Sequence, residues 1–166
     1  MRTTLVSIAT LVLFTTFTQA DTLKLPLEDP TISFNNPESW TKEKTDSGYS
    51  CESEDQEATI VLETADKADL EELINANVKW LMEEEKVEID KSSEKKGEVE
   101  SGALKFSTIA WSGKNEQWGP AIIMLAFTDI GNDQVLMITY WVTEKGEAKH
   151  KKDIDAVLDS IKKVEG

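Results

Sequence analysis

Residues able to carry chemistry are few in this chain. Among 166 residues there is one histidine, His150, and one cysteine, Cys51. A nucleophilic triad needs a base within hydrogen-bond reach of a Ser, Cys or Thr. His150 lies in Lys149-His150-Lys151-Lys152, where neighbouring lysines disfavour its protonated form. It reads as a solvated helix residue, and nothing in the spacing joins it to Cys51. Zinc wants three or four Cys, His or carboxylate ligands, and one His with one Cys does not suggest such a set. Glu52, Glu54, Asp55 and Glu57 crowd one short turn. They lack the Asp/Asn-rich, glycine-turned spacing of a calcium loop and read as a solvated, charged turn. A carboxylate pair for hydrolysis is defined by a separation of about 5 to 10 Å in space, which stays open among 32 acidic residues. Gly113, Gly119 and Gly131 are isolated turn glycines, not a phosphate-cradling motif. No catalytic residue, metal ligand or cofactor follows, and the chain reads as a non-enzyme.

Aromatics are the remaining lead. Trp40, Trp80, Trp111 and Trp141 fall in periodic or strand segments, where core packing is the expectation. Trp118 instead lies in the polar run Lys114-Asn115-Glu116-Gln117-Trp118-Gly119-Pro120. A loop tryptophan flanked by Asn115 and Gln117 is a binding anchor when exposed. The alternative is that it folds back over the sheet edge.

The chain must place these residues in an exported protein. Arg2 is the only charge before Asp21, and Leu5 to Phe14 is apolar apart from Ser7 and Thr10. That length suits a signal peptide and falls short of the about 20 residues that span a bilayer. Thr18-Gln19-Ala20 then offers small residues at a cleavage point. Residues 1–20 are therefore expected to be a signal peptide, 21–30 a lead-in segment and 31–166 one α+β domain. No transmembrane anchor is expected after cleavage, and the location is periplasmic or extracellular. Acidic residues outnumber basic ones by 32 to 18, a net charge of −14. Nucleic acid and anionic membrane repel such a chain, so neither is an expected partner. A lone cysteine gives no internal disulfide, and its expected place is the core.

Strands are expected at Thr31–Phe34, Trp40–Thr45, Gly48–Ser53 and Ala58–Thr64. Leu70, Leu73, Ile74, Val78, Leu81 and Met82 form one stripe and predict a helix over 66–86. Val87–Lys91 and Glu98–Ser101 should flank a hairpin tip at Ser92–Gly97. In Leu104–Trp111 the apolar residues change phase, so either a β-bulge near Ser107-Thr108 or cover on both faces is required. Ala121–Phe127 and Val135–Val142 are nearly continuous apolar runs and belong in the middle of a sheet. Ile154, Val157, Leu158 and Ile161 give a closing helix over 147–164. The order strands, helix, strands, helix implies a mainly antiparallel sheet with helices packed on it.

The segment Ile32-Ser33-Phe34-Asn35-Asn36-Pro37-Glu38-Ser39-Trp40 and the closing Ile154-Asp155-Ala156-Val157-Leu158-Asp159-Ser160-Ile161-Lys162 resemble the PsbP-like and DcrB-like superfamily of small α/β/α sandwiches. Ser39 stands where that family usually has glycine. The resemblance implies an exported, non-catalytic protein that binds another envelope protein, and it supplies no site residue. A second reading is a carrier of a lipid or other small apolar ligand between sheet and helix, lined by Val78, Leu81, Met82, Met124 and Met137.

An intact mass of the protein isolated from its own cells should begin at Asp21. A chain that retains Met1 overturns the export reading.

Overall fold

The computed structural model describes residues 21–164, and the expected signal peptide lies outside them. The first two strands, β1 (Asp21–Leu25) and β2 (Ile32–Asn36), pair antiparallel with Leu23 opposite Phe34. Residues 21–25 are thus a strand, not an unpatterned lead-in. Leu23 and Leu25 alternate with Thr22 and Lys24, and both leucines are buried. A meander follows of β3 (Trp40–Lys44), β4 (Gly48–Ser53) and β5 (Ala58–Asp66). A short 3-10 turn at Lys67–Asp69 leads into α1 (Leu70–Glu83). Then come β6 (Val87–Ser101), β7 (Leu104–Asn115), β8 (Gly119–Gly131) and β9 (Gln134–Thr143). The chain ends with α2 (Glu144–Asp159) and β10 (Lys162–Lys163).

Seven strands form one antiparallel sheet in the order β3-β4-β5-β9-β8-β7-β6, and β1, β2 and β10 form a second, three-stranded sheet. The apolar strands β8 and β9 are interior, as their composition requires. Leu136, Ile138 and Val142 of β9 face a core shared with Ile154 and Val157 of α2 and with Leu25, Ile32 and Phe34. On the other face, Trp141 packs with Ile123, Ala121, Val87 and Leu81 of α1. One helix therefore covers each face of the large sheet.

Helix α1 is held by polar contacts as well as by its stripe. Leu81 is fully buried, whereas Met82 is 48% exposed. Leu70, Leu73, Ile74 and Val78 are only half-buried. The other buried residue of the helix is Asn77, whose side chain donates to Glu63 Oε2 at 2.7 Å and accepts from Thr139 Oγ1 at 2.8 Å. Glu63 also accepts from Thr45 and Ser47. A buried carboxylate is tolerated here because its oxygens have donors.

Three boundaries differ from the sequence reading. Ser92–Gly97 is no hairpin tip: β6 runs through it with a register shift between Asp90 and Lys95. Side chains replace ladder bonds there, since Asp90 Oδ1 accepts from the Ser92 amide and Ser93 Oγ accepts from the Ser112 amide. The reversal falls at Gly102, with φ 58°. Strand β7 has no bulge at Ser107-Thr108, because its pairing with β8 is unbroken from Ser107 to Asn115. Leu104 and Phe106 face the α2 core while Trp111 faces the α1 side, so this strand is covered on both faces. Finally α2 stops at Asp159, and Lys162–Lys163 pair with β2.

Cys51 is fully buried, and burial pushes its thiol up to about 12, against a smaller opposing pull from Lys42. Iodoacetamide at about pH 8 should leave it unmodified in the folded protein and label it stoichiometrically in urea, because the thiolate is the nucleophile. Rapid labelling of the folded chain overturns its placement.

Candidate functional site

The sheet register sets out the site. On the α1 face a row runs across neighbouring strands through Glu52, Thr59, Trp141, Ile123 and Trp111. At the Glu52 end of this row, three connections meet. They are the β4–β5 turn with Gln56, the α1–β6 link with Glu84, Glu85 and Lys86, and the β7–β8 loop with Glu116, Gln117 and Trp118. Together with Glu52, Asn115 and Trp141 they line a cleft of about 270 Å³. All three residues singled out from the sequence, Asn115, Gln117 and Trp118, stand in this one cleft.

Their roles differ. Asn115 is buried. Its Oδ1 accepts from the amides of Gln117 and Trp118 at 2.8 and 2.9 Å, and its Nδ2 donates to the Glu85 carbonyl at 2.6 Å. Every short contact fixes backbone, so Asn115 shapes the loop and ties it to the α1–β6 link. Gln117 is exposed at the rim. Trp118 is half-buried against the core that contains Trp141, so it both closes the sheet edge and leaves part of its ring open.

Sequence reasoning missed the carboxylates here, because Glu52 and Glu85 lie 33 positions apart in the chain. Burial pushes the Glu52 carboxyl above its ordinary value, a hydrogen bond from Gln56 opposes this, and Glu43 adds repulsion. Burial also raises Glu85, helped by the negative charges of Glu52 and Glu84. The lysine of the cleft, Lys86, donates to the Glu83 carbonyl. The indole N–H of Trp141, which lines the cleft, and the hydroxyl of Thr59 on the neighbouring strand are buried without a hydrogen-bond partner. Among the described residues no group of three or more His, Cys, Asp or Glu side chains is arranged to hold a metal.

The opposite side of the same β4–β5 turn holds α2, and here two expectations are corrected. His150 is 9% exposed, not solvated. Its Nε2 lies 2.9 Å from Asp55 Oδ1, and its ring meets Trp40 edge-on at 5.8 Å. The acidic turn is likewise not a free solvated loop. Asp55 pairs with Lys149, Glu57 pairs with Lys145 at 2.9 Å, and the Glu57 carbonyl accepts from the Thr143 amide. Thr143 Oγ1 caps α2 through the Gly146 amide, and a Cβ at Gly146 would stand 2.5 Å from the Glu57 carbonyl oxygen. Only glycine permits that approach. These contacts dock a helix.

Of the residues expected to line an apolar ligand site, Leu81 and Met137 are fully buried in the core. Met124 does line a groove, of about 160 Å³, beside Tyr140, Ile154 and Leu158 under α2. That is smaller than the about 300 Å³ at which pockets for small molecules begin. A larger, shallow depression of about 900 Å³ opens at the far end of the sheet among Glu28, Asp29, Asp46, Asp66 and Gln134.

No family model matches the chain, and no curated protein sequence does. Among solved structures the chain is similar to cyanobacterial PsbP (CyanoP) from Synechocystis sp. PCC 6803. That match has 8% identity and a TM-score of 0.52, over 81% of this chain and 87% of that one. It is also similar to LpqN, involved in cell envelope biogenesis of Mycobacterium tuberculosis. Here identity is 12% and the TM-score 0.51, over 87% of this chain and 91% of that one. The likeness is one of architecture, and it shows the PsbP-like α+β fold that the Ile32–Trp40 and Ile154–Lys162 segments resemble.

Burial pushes the Asp55 carboxyl up, but bonds from Lys149, Ser53, the Glu57 amide and His150 together hold it well below the ordinary carboxylate range. A depressed folded value stabilises the protein above the unfolded value and is lost as pH falls through the folded one. Asp55→Asn should therefore cost on the order of 1–2 kcal/mol at neutral pH. In urea titrations its deficit against the parent chain should shrink as pH drops below about 4. A pH-independent deficit contradicts the assignment.

Proposed function

We propose that this protein is an exported, non-catalytic binding or accessory protein of the cell envelope, which engages another envelope protein through the Trp118 cleft. The observation that carries this reading is the convergence of Trp118, Gln117, Glu52 and Glu85 from three separate segments into one recess beside the buried Trp141. A half-open tryptophan at a recess rimmed by polar groups is the usual anatomy of a protein-binding hot spot. The likeness to LpqN, a protein involved in cell envelope biogenesis, supports the compartment and says nothing of the partner.

Chemistry of the recess supports binding over catalysis. Glu52 and Glu85 have raised proton affinity, but a hydrolase also needs a built position for substrate and water between its two carboxyls. Here the side chains of Gln56 and Asn115 are engaged with Glu52 and the loop backbone. Among the described residues no helix is long and apolar enough to cross a membrane.

A photo-crosslinking residue at Gln117, expressed in the native host, should join the protein to one partner. Trp118→Ala should reduce that cross-link by at least about tenfold, the loss expected of a hot-spot tryptophan, while the thermal transition shows the fold intact. A cross-link unchanged by Trp118→Ala sinks this reading.

A further inference from the structure

The Trp118 cleft is unbalanced in charge. Glu52, Glu84, Glu85 and Glu116 line it, while the ammonium of Lys86 is held by the Glu83 carbonyl. Like charges gathered at a partly buried site repel, and a cation placed among them relieves the repulsion. Its volume of about 270 Å³ lies just under the small-molecule range and suits one long side chain. The floor supplies a second, independent feature. Trp141, which lines the cleft, is 1% exposed, and its indole N–H has no partner within the protein. A buried donor without an acceptor is costly, and a ligand carbonyl that reaches it supplies the missing acceptor.

We propose that the cleft binds a basic side chain, lysine or arginine, presented by the partner protein together with its adjoining peptide carbonyl. This rests on the reading of the Trp118 loop as the partner-binding surface, and it names the chemistry that surface selects. The cation enters among Glu52, Glu84, Glu85 and Glu116, its alkyl stem lies against the open part of the Trp118 ring, and the carbonyl that travels with it faces the indole N–H of Trp141. An acidic chain of net charge −14 also steers a basic partner toward it. Small sugars offer hydroxyl donors and acceptors but leave the carboxylate charge uncompensated, and a divalent cation leaves the indole N–H without an acceptor.

The test uses the full chain labelled with 15N and a blocked tripeptide, acetyl-Gly-Lys-Gly-amide, with acetyl-Gly-Glu-Gly-amide, calcium and N-acetylglucosamine as comparison probes. The lysine peptide should shift the indole N–H signals of Trp118 and Trp141 saturably, and the glutamate peptide should not. Glu52→Gln with Glu85→Gln should weaken the lysine peptide by about tenfold or more. Glu94→Gln with Glu98→Gln, on the distant β6–β7 hairpin, should leave it unchanged. Binding should also fade as pH falls, and at a higher pH than ordinary carboxylates would require, because burial and neighbouring negative charge raise Glu52 and Glu85. The other charged groups at the site are Glu43, Glu84, Glu116 and Lys86. Equal losses in both double variants would show unspecific attraction and overturn the site. Indole shifts with calcium or the sugar alone would overturn the ligand class. If the lysine peptide fails while Trp118→Ala still abolishes the Gln117 cross-link, the basic-side-chain proposal falls and the partner-binding surface stands. If the peptide binds as expected while the cross-link ignores Trp118→Ala, the reverse holds.

Discussion

Strand β9 has no face for water, and much of the molecule follows from that constraint. Its side chains alternate between two cores: Leu136, Ile138 and Val142 on one side, Met137, Thr139 and Trp141 on the other. A sheet whose central strand is apolar on both sides needs a cover on each. Helix α2, with the small sheet of β1, β2 and β10, covers the first side. Helix α1 covers the second, and it does so less completely. Its half-buried stripe is supplemented by the Asn77–Glu63–Thr139 hydrogen bonds, which fix the helix at one position over the sheet. Polar groups of this kind make a misplaced helix costly, because any shift leaves a buried carboxylate or amide without its partner.

The β4–β5 turn links the two sides. Asp55 and Glu57 point their bonds toward the start of α2, while Gln56 and the neighbouring Glu52 turn to the cleft on the α1 side. The reversal itself does this, with Gln56 in the left-handed region at φ 60° between Asp55 and Glu57. One acidic turn thereby docks a helix and contributes to a recess. The split also accounts for the opposite behaviour of its carboxylates. Asp55 is surrounded by donors and cations and stays ionised to low pH, whereas Glu52 faces other carboxylates and is partly desolvated.

The cleft owes its shape to Asn115. With one side-chain oxygen it gathers two loop amides, and with its nitrogen it reaches the carbonyl of Glu85. Trp118 is thus held by a short, tied connection and not by a long mobile loop. Rigid support of this kind lowers the conformational entropy lost when a partner binds, and suits a tryptophan that is half packed against its own sheet edge.

By itself the amino-acid sequence determined most of the element types, though not the strands at Asp21–Leu25 and Lys162–Lys163, together with the antiparallel character of the sheet and the interior placement of Ala121–Phe127 and Val135–Val142. Local periodicity and continuous apolar runs carry that information over a few residues. It also pointed to Asn115, Gln117 and Trp118, because a tryptophan in a polar loop breaks the local pattern. What it could not carry was distance. His150 looked solvated among its lysines, yet Asp55 and Trp40, both far away in the chain, bury it. Asn77 broke an apolar stripe, and only the fold supplied Glu63 and Thr139 to explain it. The strand at Asp21–Leu25 lacks a local signal beyond two alternating leucines, and it needed β2 to show its edge. Glu52 and Glu85 became neighbours through sheet register and the return of α1. Such pairings are set by long-range contacts whose partners leave no mark on the sequence around either residue, so the cleft is a product of tertiary structure alone.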